Sequence, residues 1–345
     1  MLVATLLIAG CGSAPTVTGV HGAPEPAEVV SGIRVDGTVA TGLEVPWGIA
    51  FLADGSALVS ERDTGRILRV GADSPTVVGT VDGVVPRGEG GLLGIARFQN
   101  WLYAYLTAAT DNRVVRMAWD SRTLGKPEIV LTGIPKAGIH NGGRIIFGPD
   151  GMLYVGTGDA GDRDLAQDRD SLGGKILRVT PAGTVPADNP FTGSPVFSLG
   201  HRNVQGLAFD GQGRLWASEF GQSDVDELNL ITAGSNYGWP ECEGACGKPG
   251  YVDPVVQWSP TSIASPSGLA VRGDYAYVAS LRGQRVWEVP LDGSGKASGL
   301  QLGDLGRLRT IEPAPDGSMW LSTSNTDGRG DARAGDDRIV RLTSG

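Results

Sequence analysis

The feature that most constrains the fold is a triplet of short strands that recurs six times along the chain. In each copy a turn, usually of the Asp-Gly type, precedes a short alternating strand, and a strand of matching type lies on either side. Such a repeat, at intervals of about 40 to 60 residues, is typical of β-propeller blades. The middle strands begin at Ala57, Trp101, Met152, Arg214, Tyr275 and Met319. The chain is therefore predicted to be all-β and to form a six-bladed propeller.

Each blade is predicted to have four strands, and the two ends of the repeat array share the last blade. Five repeats contain a candidate fourth strand, whereas the sixth ends with RIVRLTSG and lacks one. The segment from Ile33 to Thr41 precedes the first repeat and alternates as a strand does. We expect it to pair beside the last blade and close the ring, because an open sheet edge favours aggregation.

Composition agrees with one large domain built from short strands. The 345 residues include 54 Gly and 21 Pro, as many turns require, and 40% are hydrophobic. No linker interrupts the repeats, so residues 33–345 are predicted to form one propeller domain that carries the catalytic site. The net charge of −9, without a basic stripe, argues against nucleic acid or an anionic membrane surface as a partner.

Residues 1–11 are typical of an export signal. The apolar run MLVATLLIAG leads into Cys11 and is too short to span a bilayer. Ile8 to Cys11 resembles a bacterial lipobox, although no Lys or Arg precedes the run. We predict an exported protein, either a cell-surface lipoprotein or an extracellular or periplasmic one, with Cys11 as its only membrane anchor. Residues 12–32 are predicted to be a flexible tether, and an ordinary disordered N terminus is the alternative.

Cys242 and Cys246 form an even pair in a predicted loop. Thiols of exported proteins oxidise, so a local disulfide is expected. A metal-binding pair is the alternative, but no His or further Cys lies nearby to complete such a site.

The segment that precedes the first strand of each repeat contains the candidate functional residues. A propeller places equivalent loops around one axis, so these residues are expected to meet there. They include a base, an acid, an amide and three guanidinium groups, a set that structural loops do not need. The residues are Trp47, Glu89, His140, Arg202, Asn203, Ser262, Arg307 and Arg309.

Two histidines lie within the repeats, and histidine is the usual base near neutral pH. His140 opens the string HNGGR, whose glycines permit close approach of backbone or ligand. A histidine that only caps a turn is the alternative. His201, in GHRN, is expected instead to tie its loop by hydrogen bonds while Arg202 and Asn203 point to the axis.

A loop rich in carboxylates follows the middle strand of the fourth repeat. The stretch SEFGQSDVDELNLITAGSNYGWP begins at Ser218 and places four acidic residues close to main-chain carbonyls. Hard oxygen ligands in an irregular loop suit calcium. The stretch lacks the spacing of an EF-hand, and a charged, solvated loop is the alternative.

Seven motifs follow one another along the repeats. They are GEGGLLGIA at 88–96, HNGGR at 140–144, GTGDAG at 156–161, GGKILRV at 173–179, GHRNVQGLAF at 200–209, DELNLITAGSNYGWP at 226–240 and SLRGQRVWEV at 280–289. In this order they resemble the soluble pyrroloquinoline-quinone (PQQ) sugar dehydrogenases, the glucose/sorbosone dehydrogenase family, and especially its bacterial aldose sugar dehydrogenase branch. The resemblance extends from about Leu43 to the C terminus and covers all six repeats.

The resemblance implies oxidation of an aldose to its lactone, with PQQ reduced and electrons passed to a respiratory or artificial acceptor. His140 matches the base that takes the proton from the anomeric hydroxyl. Arg202 matches the arginine that polarises the reactive carbonyl of the quinone. Further matches to cofactor contacts are Asn203, Ser262, Arg282, Arg307 and Arg309, with Glu89 at a place where some members have Gln. Fixed guanidinium groups suit a tricarboxylate such as PQQ.

The resemblance also implies calcium. Gly221 and Gln222 match the backbone carbonyls that hold a catalytic ion against the cofactor. Glu227 and the carbonyl of Tyr237 match a second, structural site, with Asp226 beside them. After NYGWP the chain lacks the acidic pattern that some members use for a further calcium ion, and the predicted disulfide is expected to brace the loop instead.

Two other functions are open at this stage. A calcium-dependent propeller hydrolase of the lactonase type predicts acidic and amide ligands from several blades at the axis. A non-catalytic cell-surface binding propeller does not readily account for His140, Arg202 and the arginine pair together. An axis dominated by arginines favours a polyanionic cofactor, and therefore the dehydrogenase. We also expect the enzyme to be a monomer.

Overall fold

The computed structural model describes residues 20–21 and 32–344 of the chain. Within these residues the regular structure is almost entirely β, with two short 3-10 helices, Arg163–Ala166 and Thr261–Ile263. Residues 1–11, predicted to be an export signal with a lipobox, and most of the predicted tether lie outside the described residues. No helix in the described part of the chain is long and apolar enough to cross a membrane.

Six antiparallel sheets form the blades, which we number along the chain. Blade 1 comprises Pro46–Phe51, Ala57–Glu61, Arg66–Val70 and Thr76–Thr80. Blade 2 comprises Leu92–Phe98, Trp101–Thr107, Asn112–Ala118 and Glu128–Ile134. Blade 3 comprises Ile145–Phe147, Leu153–Gly156, Lys175–Val179 and Val196–Leu199. Blade 4 comprises Val204–Phe209, Leu215–Glu219, Asp226–Ile231 and Val256–Ser259. Blade 5 comprises Pro266–Arg272, Tyr275–Ser280, Val286–Pro290 and Ser298–Leu300.

Blade 6 joins the two ends of the ring, as predicted. Its first three strands are Leu308–Pro313, Met319–Thr323 and Ile339–Ser344, and its fourth is Ile33–Ala40. The closing strand runs antiparallel to the last strand of the chain, with Arg34 opposite Thr343. In addition, the two-residue strand Val20–His21 pairs in parallel with the outer strand of blade 4. The prediction of an all-β, six-bladed propeller of four-stranded blades is confirmed.

The first strand of each blade lies nearest the axis and packs against the first strands of neighbouring blades. Glycines in these inner strands allow the close approach. A Cβ atom at Gly94 of blade 2 would lie 2.3 Å from the carbonyl oxygen of Gly143, and one at Gly268 of blade 5 would lie 2.7 Å from Cα of Thr310. The inner strands therefore form a tight ring from which the preceding loops reach into the centre.

Alternating side chains of the middle strands fill the space between blades, because successive residues of a strand point to opposite faces. In blade 2, Tyr103 and Tyr105 pack with apolar residues of blade 3, whereas Leu102, Ala104 and Leu106 pack with those of blade 1. The described residues form six buried apolar clusters of this kind, one at each boundary between blades. The core is thus divided around the ring, and the axis is left for polar loops.

Candidate active site

The loops before the inner strands surround a funnel at the axis. Its wider part is a cavity of about 360 Å³, and a narrower part of about 40 Å³ adjoins it. Glu89, Phe220, Leu281 and Arg329 line both parts. The predicted site residues that line the funnel are Trp47, Glu89, His140, Arg202, Gly221, Gln222, Arg282, Arg307 and Arg309. The structure therefore brings together residues from all six repeats.

His140 has a fixed position and a defined tautomer. Its Nδ1 lies 2.7 Å from Oδ1 of Asp159, and Nη2 of Arg202 lies 3.0 Å from its Nε2. A guanidinium group can only donate, so Nε2 is the acceptor and Nδ1 donates its proton to Asp159. The imidazole is 15% exposed, which leaves it open to the cavity. The lone pair of Nε2 is what a general base requires.

Asp159 is the partner that sequence reasoning missed. It lies in GTGDAG, a motif that we noted without assigning a role. Burial raises the pKa of Asp159, but hydrogen bonds from His140, the Gly161 N–H and the Trp239 indole N–H outweigh burial and hold that pKa below its ordinary value. The carboxylate therefore stays ionised and can stabilise a protonated imidazole. Because Asp159 accepts from Trp239 as well as from His140, it connects the NYGWP motif to His140.

Arg202 connects His140 to the predicted calcium loop. Its Nη1 donates to the carbonyl oxygen of Gly221 at 2.6 Å, and its guanidinium lies 5.5 Å from the Trp239 ring. Burial lowers the pKa of Arg202 below its ordinary value, against the opposite influence of nearby carboxylates that include Asp159. The positive charge is thus held in a partly desolvated place beside the candidate base.

His201 has the structural role that we predicted from the sequence. It is completely buried, with Nε2 2.8 Å from the hydroxyl of Ser198 and Nδ1 2.8 Å from Oε2 of Glu219. The other oxygen of Glu219 accepts the backbone N–H of Arg202. Both contacts fix the GHRN loop and so direct Arg202 at the axis.

The arginine pair of blade 6 spans the two parts of the funnel, with Arg307 lining the wider part and Arg309 the narrower one. Arg307 donates to Oδ2 of Asp327 through Nη2 at 3.0 Å. Arg309 donates through Nη1 to Oε1 of Gln205 at 3.1 Å and to the hydroxyl of Ser267 at 3.3 Å. Its Nη2 lies 3.9 Å from the same Asp327 oxygen. One carboxylate therefore faces two buried guanidinium groups.

Arg62 and Arg144 also lie near Arg309, and neither was predicted from the sequence. The guanidinium of Arg144 lies 4.3 Å from the Trp47 ring, and that of Arg309 lies 5.7 Å from it. Burial lowers the pKa of Arg309 to about 9, aided by the positive charges of Arg62, Arg307 and Arg144 and opposed by Asp327. Arg144 does not lie at the position of the other candidate residues. It is the last residue of HNGGR, and its place in that motif is the signal that could have identified it. The excess of positive charge suits an anionic ligand.

Buried donors without partners support the same conclusion. Arg202 Nε, Asn203 Nδ2 and Arg309 Nε are buried and have no hydrogen-bond partner among the described residues. An unsatisfied buried donor costs about 1–3 kcal/mol, so such groups are rare unless a ligand completes them. Asn203 was expected to point to the axis, but it is completely buried behind the funnel wall and does not line the funnel, and its Oδ1 accepts the Gly142 N–H at 3.0 Å. These donors and the arginines fit a cofactor that carries several carboxylates.

The rim of the funnel differs in part from the predicted set. Arg282 is exposed and lines the wider cavity. Ser262 is also exposed but does not line the funnel, whose contacts from that loop are Thr261 and Ser265. The short 3-10 helix Thr261–Ile263 turns these neighbours inward in its place.

Glu89 connects two loops on different blades. Its Oε2 accepts the backbone N–H of His140 at 2.9 Å, and its Oε1 pairs with Nη1 of Arg329 at 2.8 Å. Arg329 comes from the loop after the middle strand of blade 6 and was not predicted from the sequence. The negative charge of Glu89 is therefore paired with a positive one where it faces the cavity, and the carboxylate also fixes the backbone of His140.

The residues predicted to bind calcium lie in two places. Gly221 and Gln222 form a turn at the funnel wall, where the Gly221 carbonyl accepts from Arg202. Glu227 is buried in blade 4, opposite Glu219 on the adjacent strand, and burial and Glu219 raise its pKa to about 8. Tyr237 is buried and does not line the funnel.

The oxygen donors near Glu227 fit a hard cation. Asn229 Nδ2 donates to Glu227 Oε2 at 3.0 Å, while Asn229 Oδ1 is buried and has no partner among the described residues. A carboxylate and an unpaired amide oxygen side by side are ligands that calcium prefers. No group of three or more His, Cys, Asp or Glu side chains that could hold a metal occurs in residues 32–344. The predicted sites depend largely on backbone carbonyls instead.

Comparison with known proteins decides the family. The family model for glucose/sorbosone dehydrogenases matches residues 43–339. The chain belongs to this family. The match runs from the loop before blade 1 to the first residue of the strand Ile339–Ser344, so it includes every residue that lines the funnel described above.

Individual relatives agree with this assignment. The PQQ-bound form of aldose sugar dehydrogenase from Streptomyces coelicolor is 54% identical, with a TM-score of 0.89 over 93% of this chain and 100% of that one. Quinoprotein glucose dehydrogenase B from Acinetobacter calcoaceticus is 34% identical over 68% of this chain and 58% of its own length. Aldose sugar dehydrogenase YliI from Escherichia coli is 27% identical over 83% and 89%, respectively.

Proposed function

We propose that this chain oxidises aldose sugars at C1 to the lactone, with PQQ and calcium as cofactors. The observation that carries the proposal is the imidazole of His140, which donates to Asp159 and keeps a lone pair on Nε2 at the wall of an arginine-rich cavity. The similarity to a PQQ-bound aldose sugar dehydrogenase supports the choice of cofactor.

In the proposed reaction, His140 takes the proton of the anomeric hydroxyl at Nε2. The hydroxyl replaces the Arg202 N–H at this nitrogen, which frees that donor for an oxygen that gains negative charge. Asp159 holds the imidazolium until the proton leaves. When bound, PQQ supplies the two-electron acceptor that no side chain provides.

We assign cofactor binding to the cations and unpaired donors of the funnel. Arg307 and Arg309 would pair with carboxylates of PQQ, Arg282 would contribute from the rim, and Asn203 would donate through Nδ2. Glu89 would contribute from the funnel wall, and Ser262 would contribute its hydroxyl after an inward turn of its loop on cofactor binding. A rigid guanidinium fork suits carboxylate recognition better than an ammonium group does.

We assign calcium to two sites. The carbonyls of Gly221 and Gln222 would hold the catalytic ion, and Arg202 would give up its bond to Gly221 when the ion binds. Glu227 and the carbonyl of Tyr237 would hold a structural ion, with Asn229 Oδ1 as an added oxygen donor. A cation there would also relieve the repulsion between Glu227 and Glu219.

We further propose that the protein is exported, is anchored if at all through a lipid on Cys11, acts as a monomer and passes electrons to a respiratory acceptor. The apolar run before Cys11 and the disulfide between Cys242 and Cys246 support export.

Reconstitution tests the function directly. Purified apoprotein is loaded with PQQ and calcium and offered a panel of aldoses with an artificial dye as acceptor. We expect dye reduction and lactone formation that require both cofactors. The proposal fails if the protein binds PQQ but reduces no dye with any aldose.

A further inference from the structure

The loop closed by the disulfide Cys242–Cys246 contacts the Gly221–Gln222 turn through a single carboxylate oxygen. Four consecutive backbone N–H groups donate to Oε1 of Glu243. They belong to Gln222 at 2.6 Å, Ser223 at 2.7 Å, Asp224 at 2.9 Å and Val225 at 3.3 Å. Successive N–H groups that converge in this way form an anion-binding nest, and here the protein fills it with its own side chain. Hydrogen bonds to a charged acceptor are the stronger kind.

The other side of the same turn faces the candidate active site. The Gly221 carbonyl accepts from Arg202, and the Gly221 N–H donates to Oδ1 of Asp226 at 2.9 Å. Glu243 accepts the N–H groups of residues 222–225 on the side of the turn that faces away from the funnel. These bonds fix the direction of the turn, and therefore also the direction of its carbonyl groups. Glu243 does not line the funnel and cannot contact substrate from there.

Glu243 is itself held in place. The disulfide closes the chain on both sides of it, and the next N–H, that of Gly244, donates to Oε1 of Glu227 at 2.8 Å. The packing against the turn is tight, since a Cβ atom at Gly221 would lie 1.7 Å from the carbonyl oxygen of Val225 and 2.8 Å from Glu243 Oε1. The position of the Glu243 carboxylate is therefore fixed.

We propose that Glu243 is a positioning residue for this enzyme, and that it orients the carbonyls of Gly221 and Gln222 for cation binding beside the cofactor. This inference rests on the proposed function, in which these two carbonyls hold the catalytic calcium. It adds a residue outside the funnel on which the geometry of that site depends.

Hydrogen exchange in the metal-free apoprotein tests the first half of the inference. In Glu243→Ala we expect the amides of residues 222–225 to exchange at least about tenfold faster, because their acceptor is gone. Glu243→Gln, which keeps a neutral acceptor, should restore part of the protection. Glu241→Ala is the matched control, since Glu241 is an exposed acid just before Cys242 with no hydrogen bond or ion pair among the described residues. Unchanged exchange in Glu243→Ala would overturn the inference.

PQQ affinity at saturating calcium, measured by titration of each apoprotein, tests the second half. We expect the Kd to rise about tenfold in Glu243→Ala, less in Glu243→Gln and not at all in Glu241→Ala. Faster exchange with an unchanged Kd would make Glu243 a purely structural brace and overturn its positioning role. If the unsubstituted protein bound no PQQ, the proposed function would fail, whereas the exchange data would still decide whether Glu243 holds the turn.

Discussion

At the scale of single residues, the backbone of His140 is as constrained as its side chain. Its φ of 53° lies in the left-handed region, which a residue with a Cβ atom adopts at a cost of about 1–3 kcal/mol. Its N–H donates to Glu89 and its carbonyl accepts the Ala160 N–H at 3.1 Å. Gly158 allows this geometry, since a Cβ atom there would lie 2.0 Å from the His140 carbonyl oxygen. The direction of the imidazole is therefore set before any ligand binds.

Removal of the imidazole should affect chemistry more than binding. In His140→Ala we expect PQQ and calcium binding to remain and turnover to fall by about 10²–10⁴-fold, the usual share of a general base. Steady-state dye reduction measures the turnover, and PQQ titration measures the binding. Near-normal turnover would place the base elsewhere, and Glu89 would then be the next residue to substitute.

Substitution of Asp159 tests the tautomer. In Asp159→Asn the amide N–H can face Nδ1, which favours the tautomer that carries its proton on Nε2 and removes the lone pair. We expect a fall in turnover of about 10²–10⁴-fold with little change in PQQ affinity. Asp164→Asn, at an exposed acid a few residues along the chain, is the control. Equal activity of the two variants would show that Asp159 does not set the tautomer.

The arginine pair should determine affinity for the cofactor. Arg307→Ala and Arg309→Ala should each weaken PQQ binding by at least about tenfold, because a buried carboxylate loses a charge-assisted partner. Titration of the apoproteins with PQQ measures the effect, and Arg122→Ala at an exposed turn is the control. Unchanged affinity in the double variant would mean that blade 6 does not face the cofactor.

At the scale of elements, the second and third strands of blade 4 place Glu219 and Glu227 side by side, and this pair lies at the calcium site that we propose for structural stability. Chelation should abolish the activity of the loaded enzyme, and calcium should restore it.

In Glu227→Gln we expect a lower Tm in calcium, with turnover affected less, because an ion that binds only the folded state stabilises it by mass action. Asp224→Asn, an exposed acid of the same loop, is the control.

The same Tm comparison in chelator decides the origin of the effect. Without metal, the difference between Glu227→Gln and the unsubstituted protein should vanish. A difference of equal size with and without calcium would make Glu227 an ordinary loop carboxylate and remove the second calcium site.

The elements and their order could be predicted from the sequence, because strand alternation and turn residues are local signals that six copies reinforce. The candidate site residues that precede the first strand of each repeat could be selected for the same reason, since the six copies show which positions are equivalent. Asp159, Arg62 and Asp327 could not, since they follow other strands and reach the funnel only through the blade geometry. The difference at Ser262 has a similar cause, because a short helical turn changes which residues of a loop face inward, and spacing alone does not reveal it.

At the scale of the whole molecule, the closing strand joins the first and last blades. A chain that begins at Gly42 lacks Ile33–Ala40, so it exposes the edge of Ile339–Ser344 and removes Ile33 and Val35 from the apolar cluster between blades 5 and 6. We expect a lower Tm and concentration-dependent aggregation, measured by thermal unfolding and light scattering. A chain that begins at Gly32 keeps the strand and is the control. Equal behaviour of the two chains would contradict a stabilising role for ring closure.

Ring closure also sets the order of events during synthesis. The strand Ile33–Ala40 is made before every blade, and its partner Ile339–Ser344 is made after them, so their pairing must wait for nearly the whole chain. Contacts between residues so far apart in sequence form slowly. Arg307 of blade 6 and His140 before blade 3 line the same cavity, which is complete only in the closed ring. The funnel is therefore assembled last, and a chain still attached to the ribosome has most of the blades without the complete funnel.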